Sequence, residues 1–326
     1  ERDLRRKGGR TLSVNRREFV ALAAAAPFGV RAALAAAAGA PYALVTCDEE
    51  SRLAVVDLAA FRVVRWIATP PGPRAVELVG SRAVVAHWAA GELAIVDAQR
   101  TLHVIEGVGA PRYAAAHPDG VHAFVTDSAY GVVTVDVQRG RIVGRVKLPG
   151  WPRHVSLDPA GKTLWVGLGT TSRQVAVVDV ADPRRPRRAA LVTPPFGAHD
   201  VGVSPDGRQV WVTAGAAGQT AVYLAGRKLV RTLAADAAPQ HVTFGPSAAY
   251  VTSGDSGTLR VHSQTSGRVL RTTRIPVGSY NVQHGAGRVI TPSLSHGTLT
   301  ILNERGALLA TVGVAGACHD ACFAPV

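Results

Sequence analysis

The chain has 326 residues, of which 47% are hydrophobic and 18% charged, a balance that allows a large buried core and argues against intrinsic disorder. Its formal charge is +13, and nearly all of the basic residues are arginines. Because these arginines are scattered, only 6% of residues are aromatic and no nucleic-acid-binding motif is present, we expect solvated surface charge and no nucleic-acid partner.

Residues 1–40 have the pattern of an export signal. Arg16 and Arg17 precede an alanine-rich apolar stretch over residues 19–30, and small residues at 32–40 offer A-x-A-like cleavage positions. A membrane anchor is the alternative, but an apolar stretch of about a dozen residues is too short to span a bilayer. The segment resembles a twin-arginine signal, which implies a periplasmic or extracellular protein, an oxidising compartment, and no stable membrane insertion after signal removal.

The rest of the chain, residues 41–326, repeats one unit of about forty residues. In the clearest copies the first predicted strand is followed by a Pro-Asp-Gly or Pro-Ala-Gly turn. Proline fixes φ there, and glycine takes the left-handed position of a tight hairpin. Runs of β-branched and aromatic residues follow, as in Val132–Asp136, and fit pleated strands. Four strands at this period are typical of a propeller blade. The copies begin near residues 73, 111, 151, 197, 238 and 278.

A Val-Thr pair closes the second strand of four copies, with its threonine at Thr46, Thr126, Thr213 and Thr252. Together with the proline opening, the Pro-Asp-Gly hairpin and the Val-x-Val-hydrophobic-Asp strand, this pair makes the units resemble the YVTN family of β-propeller repeats. The asparagine that usually follows Val-Thr is absent in all four. The resemblance covers residues 41–326 and implies an all-β, seven-bladed propeller of four-stranded antiparallel blades, but no particular function.

The two ends of the chain are predicted to share the seventh blade. Residues 316–325 copy only the first strand of a unit, whereas residues 42–67 supply the other three. Pairing the two ends closes the ring and removes the open edges that the sheet would otherwise expose. We therefore expect truncation at either end to unfold the propeller.

Polar residues occupy the start of each predicted innermost strand. In propellers these strands line the central channel, and ligand sites usually form where the strands begin, so this end is the predicted ligand-binding mouth. A hydrated polar collar without a ligand is the alternative. Because side chains alternate along a strand, we expect only one of two adjacent residues to face the channel axis. The predicted residues are His154, Asp200, His241, Asn281, Asp320, His199 and His319, with His87 and Asp127 from the ends of second strands.

No cofactor is assigned by the sequence. Imidazole with carboxylate suits a borderline divalent metal, although no H-x-H or H-E-x-x-H spacing marks a site. The absence of C-x-x-C-H gives no reason to expect covalent haem. Cys318 and Cys322 are four residues apart on one strand, hence about 13 Å apart and unable to share an ion. Strand pairing in the split blade favours a Cys47–Cys318 disulfide, then Cys47–Cys322, with three free core thiols as the remaining alternative.

Three functions remain open. The leading one is an exported, non-catalytic propeller scaffold that binds a small molecule, a metal or a protein partner at the channel mouth. The second is an enzyme of lactonase or lyase type, since residues 151–159 loosely resemble a lactonase blade opening; His154 and His241 would then be general bases tuned by Asp200 or Asp320. The third is a metal-bound redox propeller. The regular repeats and the lack of a long insertion favour the first.

Overall fold

The structure is a computed structural model that describes residues 41–169, 171–238 and 240–324. The predicted export signal in residues 1–40 lies outside the described part of the chain. The described residues form seven four-stranded antiparallel sheets, the predicted blades. Within these ranges no helix has the length and apolar character needed to cross a membrane.

The strands follow one another in blade order. They are β1 (Tyr42–Cys47), β2 (Arg52–Asp57) and β3 (Arg62–Ala68) in blade 1; β4 (Pro73–Val79), β5 (Arg82–His87), β6 (Glu92–Val96) and β7 (Thr101–Ile105) in blade 2; β8 (Pro111–Ala116), β9 (His122–Asp127), β10 (Gly131–Asp136) and β11 (Arg141–Lys147) in blade 3; β12 (Val155–Leu157), β13 (Thr163–Gly167), β14 (Val175–Asp179) and β15 (Arg187–Val192) in blade 4; β16 (Ala198–Val203), β17 (Gln209–Ala214), β18 (Gln219–Leu224) and β19 (Leu229–Ala234) in blade 5; β20 (Gln240–Phe244), β21 (Ala248–Ser253), β22 (Thr258–Ser263) and β23 (Val269–Arg274) in blade 6; β24 (Gln283–Gly285), β25 (Arg288–Ser293), β26 (Thr298–Asn303) and β27 (Leu308–Gly313) in blade 7; and β28 (Ala321–Ala324), which returns to blade 1.

Blade 5 shows how the repeat makes a blade. The Pro-Asp-Gly turn places Gly207 at a φ of 70°, which a residue without a Cβ adopts easily, and joins β16 to β17. Along β17, Val210 and Val212 pack with blade 4, whereas Trp211 packs with blade 6. The two-residue period therefore supplies both inter-blade cores from one strand. Each blade is buried on two faces, which explains the nearly continuous hydrophobic strands.

The ring closes through the predicted split blade. Strand β28 pairs antiparallel with β1, from Tyr42 opposite Ala324 to Val45 opposite Ala321. The first strands of neighbouring blades contact each other around the whole circle: β28 with β4, β4 with β8, β8 with β12, β12 with β16, β16 with β20, β20 with β24, and β24 with β28. The prediction of a seven-bladed all-β propeller closed by both chain ends is confirmed.

The three cysteines lie in two different cores of blade 1. Cys47 and Cys318 share the core between blades 1 and 7, whereas Cys322 packs in the core between blades 1 and 2. All three are free and buried in the structure, so the predicted disulfide is not formed there. A hydrogen bond with Cys47, followed by burial, raises the pKa of the Cys318 thiol, which shows that these two sulfurs are neighbours. Cys322, opposite Leu44, faces the other side of the blade, so Cys47–Cys318 is the pairing that the fold allows.

Candidate functional site

Five ring-bearing side chains meet where the first strands begin, and together they form what we call the collar. Its members are Tyr113, His154, His199, His241 and His319. The Tyr113 ring stacks on His154 with centroids 3.9 Å apart, and the His154 and His241 centroids are 4.4 Å apart. All four imidazoles are buried. The collar residues therefore contact one another across the channel instead of lining an open, water-filled mouth.

Three collar imidazoles form a tighter group, the imidazole cluster of His154, His199 and His241. Each offers one nitrogen, and these nitrogens lie within 4.8 Å of one another. The Nε2 atoms of His199 and His241 are 3.2 Å apart. Two nitrogens bound to one tetrahedral metal at ordinary bond lengths are about 3.4 Å apart, so this spacing matches a shared ion. The Nε2 of His154 is buried and has no hydrogen-bond partner among the described residues.

Asp200 lies behind two of these rings. Its Oδ1 is 3.4 Å from Nδ1 of His154, and its Oδ2 is 3.7 Å from Nδ1 of His241. These are ion-pair distances and not hydrogen bonds, so the carboxylate faces both rings without fixing their tautomers. Metal-binding imidazoles commonly have a carboxylate at the nitrogen away from the metal. Burial raises the pKa of Asp200 to about 7. A cation bound at the cluster would favour the ionised carboxylate, because the opposite charge lowers its pKa.

His199 and Asp200 are adjacent in sequence, yet both contact His241. Simple alternation along a strand predicted that only one of them would face the channel. The pairing of β16 with β17 shifts register between Ala198 and Val201, and this irregularity turns both side chains toward the axis. A site that uses neighbouring residues of one strand therefore depends on a local distortion that the repeat pattern does not reveal.

The imidazoles of the cluster are held in their neutral form. Burial lowers the pKa of His154 and His241 well below the ordinary value, and the other imidazoles and Arg153 lower it further. Burial and the charge of Arg153 lower the pKa of His199 to about 3. Neutral imidazole is the form that binds a metal, so no proton has to be displaced near neutral pH.

The remaining predicted mouth residues hold the collar together. Asp320 accepts hydrogen bonds from the backbone N–H groups of Val76 (3.0 Å) and Ala321 (2.9 Å), which joins blade 1 to blade 2. Asn281 donates through Nδ2 to the His319 carbonyl oxygen at 2.8 Å. The Nδ1 of His319 donates to the carbonyl of Arg74 at 2.9 Å, and its Nε2 lies 3.5 Å from the Tyr113 hydroxyl. These contacts favour a structural role for this half of the collar.

Two predicted residues are not brought to the imidazole cluster. His87, at the end of β5, donates from Nδ1 to the Pro71 carbonyl at 3.1 Å. Asp127, at the end of β9, accepts from the N–H groups of Gly109 (2.8 Å) and Ala110 (2.9 Å) and so fixes the loop before blade 3. Both stand at the predicted end of the propeller, but the Nδ1 of His87 and the carboxylate of Asp127 bond to nearby backbone, and the Nε2 of His87 is buried without a partner among the described residues.

The channel continues beyond the collar as a cavity of about 300 Å³. Its lining includes the collar residues Tyr113, His154 and His241 and, farther along the first strands, Glu77, Ser156, Thr243 and Gln283. Burial, and then the nearby Asp320, raise the pKa of Glu77 to about 8. Sequence reasoning missed Glu77, although it stands two residues after Ala75 in blade 2, where alternation would have placed it on the channel face.

Tyr113 and Arg153 were also missed as site residues. Tyr113 occupies the same position in its blade opening as His154, so the repeat alignment contained the signal. Arg153 precedes His154, and its charge lowers the pKa of every imidazole in the cluster. Arginine occupies this position in three successive blades, at Arg74, Arg112 and Arg153, so the sequence pattern indicates a feature of the repeat and not a site residue.

Fold and collar together define a seven-bladed propeller with a histidine-rich channel entrance. No protein-family model and no curated protein matches the chain. Among solved structures it is similar to a functionally unknown protein from Desulfotomaculum acetoxidans DSM 771, with a TM-score of 0.76 and 11% identity over 87% of this chain and 98% of that one. It is also similar to Kuenenia stuttgartiensis hydrazine synthase, with a TM-score of 0.65 and 17% identity over 77% of this chain and 89% of that one. Such low identities support the fold alone.

Proposed function

We propose that this protein is an exported, YVTN-type propeller that binds a divalent transition metal at the channel entrance through His154, His199 and His241. The observation that carries the proposal is the cluster of three buried imidazoles, each offering one nitrogen within 4.8 Å of the others. The Nε2 of His154 is buried and lacks a partner among the described residues. Leaving a buried polar atom without a partner costs about 1–3 kcal/mol. A shared metal ion would take one nitrogen from each imidazole and would replace the hydrogen bond between His199 and His241.

The donor set indicates which metals to expect. Imidazole suits zinc, copper, iron and nickel, and affinity for such a site rises along the first-row series to copper. Three protein ligands leave a fourth position for water or another ligand, the arrangement found in catalytic more than in structural zinc sites. Asp200, within 3.7 Å of two of the imidazoles, would supply the carboxylate that holds them in place.

Export belongs to the proposal and is supported by the sequence of residues 1–40. The twin-arginine route carries folded proteins, often loaded with a cofactor, which suits a site assembled from several blades. The YVTN assignment rests on the repeat motifs. Because the binding site is small and buried, we propose a metal as the ligand in preference to a protein partner or a nucleic acid.

A metal-dependent catalyst, redox or hydrolytic, is the second candidate, and the free coordination position favours it. The simpler alternative, in which His154 and His241 act as general bases, is disfavoured by burial. A general base works best when its pKa lies near the operating pH. Burial holds the pKa of both imidazoles well below that range.

The test is metal analysis of the full-length chain, expressed untagged and purified from the exported fraction. We expect one zinc or copper ion per chain, and a tetrahedral Co²⁺ absorption spectrum after exchange. His199→Gln should lose the metal. His262→Gln is the matched control, since His262 is a buried imidazole on β22 that bonds to the Gly267 carbonyl, away from the collar. Undiminished metal content in His199→Gln, or no stoichiometric metal in the unsubstituted protein, would refute the proposal.

A further inference from the structure

A second feature of the entrance lies beside the imidazole cluster and involves no histidine. The Arg112 guanidinium carbon lies 4.6 Å from the ring centroid of Trp88 and 4.9 Å from that of Trp151. The Arg153 guanidinium carbon lies 5.8 Å from the Trp151 ring. Trp88 follows β5 and Trp151 precedes β12, so the group spans blades 2 to 4 at the end of the propeller that bears the collar. Two tryptophans and two arginines thus form one rigid surface.

This group carries positive charge that the described residues do not neutralise. Arg74, the nearest other arginine, forms an ion pair with Asp48 at 2.9 Å. Arg112 donates from Nε to the Ser128 hydroxyl at 3.2 Å and forms no ion pair with any described residue. The Nε of Arg153 is buried without a hydrogen-bond partner in the described chain. Arg112 is buried and Arg153 is half-buried, and neither forms an ion pair with a described residue. Because buried guanidinium groups are normally paired, the two side by side favour an anion as the ligand.

The packing restricts what kind of anion fits. Arg112 is only 8% exposed, whereas Trp88 and Trp151 remain 42% and 44% exposed. Both indole rings lie within 5 Å of the Arg112 guanidinium carbon and Nε is bonded to Ser128, so the two Nη atoms are the part left to bond a ligand. In-plane, two-point bonding is the geometry that a guanidinium shares with a carboxylate. The exposed indole surface offers a contact for the apolar part of the same molecule.

We propose that Arg112 and Arg153, flanked by Trp88 and Trp151, form a binding subsite for a small carboxylate ligand at the channel entrance. The subsite is independent of the metal, because its four residues include none of the three proposed metal ligands. A carboxylate held there would also lie beside the imidazole cluster, whose electrostatics Arg153 already influences. The ligand class of this subsite is thus an organic acid, which would bind beside the metal that we propose for the imidazole cluster.

The experiment is calorimetric titration of malonate into the full-length protein after removal of metal with a chelator and buffer exchange. We expect saturable binding that weakens about tenfold in Arg153→Gln, the loss of one charge-assisted contact. Arg153→Lys, which keeps the charge but loses the two-point geometry, should fall between them. Arg145→Gln is the control, because Arg145 is an arginine on outer strand β11 that bonds to the Gly107 carbonyl. Melting temperatures check that each variant is folded.

Parallel titrations with inorganic phosphate and with uncharged malonamide separate the alternatives. Phosphate binding that is tighter than malonate and equally dependent on Arg153 would overturn the carboxylate assignment. No saturable malonate binding, or equal loss in Arg145→Gln and Arg153→Gln, would overturn the subsite. Because all titrations use metal-free protein, they can fail while the His199→Gln test succeeds, or succeed while that test fails.

Discussion

The Asp200→Asn substitution tests two roles of this carboxylate, which are linking blades 5 and 6 and facing two imidazoles of the cluster. Asp200 accepts hydrogen bonds from the backbone N–H groups of Val201 (2.6 Å) and Val242 (2.9 Å), which joins the first strands of blades 5 and 6. It also faces Nδ1 of His154 and His241. Asparagine has the same shape but a single acceptor oxygen, so one backbone N–H would face an amide NH₂ instead.

The expected loss of stability follows from these contacts. A hydrogen bond to a charged acceptor contributes about 1.5–3 kcal/mol. Because burial raises the pKa of Asp200 to about 7, the carboxyl is only partly ionised near neutral pH, and the lower end of that range applies. For a domain of this size each kcal/mol shifts the melting temperature by roughly 2–4 °C. We therefore expect a decrease of a few degrees, measured on metal-free protein.

The effect on metal binding should be larger and specific. Losing a carboxylate that orients a ligand imidazole typically costs about 10–100-fold in metal affinity. Asp320→Asn is a closely matched control, since Asp320 makes the same pair of backbone contacts between blades 1 and 2. It should lose similar stability and keep its metal affinity in competition titrations with a chromophoric chelator. Equal affinity losses in both variants would show that Asp200 acts only as a link between blades.

Three further predictions follow from the cysteines, the channel acid and the signal. Thiol titration of unfolded, exported protein should find one free thiol, because we expect Cys47 and Cys318 to form a disulfide in an oxidising compartment; three free thiols would exclude it. In the chain-entropy model such a bond adds at most roughly 5–6 kcal/mol. Burial raises the pKa of Glu77 from 4.5 to about 8, so the folded state holds this proton more tightly and loses stability as pH rises between these values. The melting temperature should therefore fall from pH 5 to 8, and Glu77→Gln should reduce that decrease. Lysine at both Arg16 and Arg17 should leave the precursor in the cytoplasm; mature protein outside would contradict the twin-arginine assignment.

The fold could be predicted from sequence because each blade is specified locally. A turn such as Pro205–Gly207 fixes a hairpin within a few residues, and alternation in a strand such as β17 assigns residues to opposite faces. Ring closure followed from one extra observation, that residues 316–325 copy the strand that residues 42–67 lack. These signals act over short distances along the chain, and the repeat presents the same turn and strand patterns again from blade to blade.

The candidate site was predictable only in part, because its geometry depends on distances across the ring. The repeat alignment placed His154 and His241 at equivalent positions and so identified them as channel residues. Alignment alone does not show which equivalent positions meet, since that depends on channel width and on side-chain rotamers. His199 reaches His241 through the register shift in β16, and His87 turns toward the Pro71 carbonyl. Neither outcome has a signature in the repeat.

Asp200 and Asp320 occupy equivalent positions that stabilise the propeller in both blades, and in blade 5 the same position also belongs to the candidate site. Both stand at the same position of their blades, and both accept the N–H of the next residue and one from the following blade. This shared bonding is structural, and it would persist without any ligand. The difference lies in the neighbours: of these two carboxylates, Asp200 has imidazoles within ion-pair distance in the described structure and Asp320 has none. The proposed metal site therefore rests on the few histidines that surround a link between blades that the scaffold already requires.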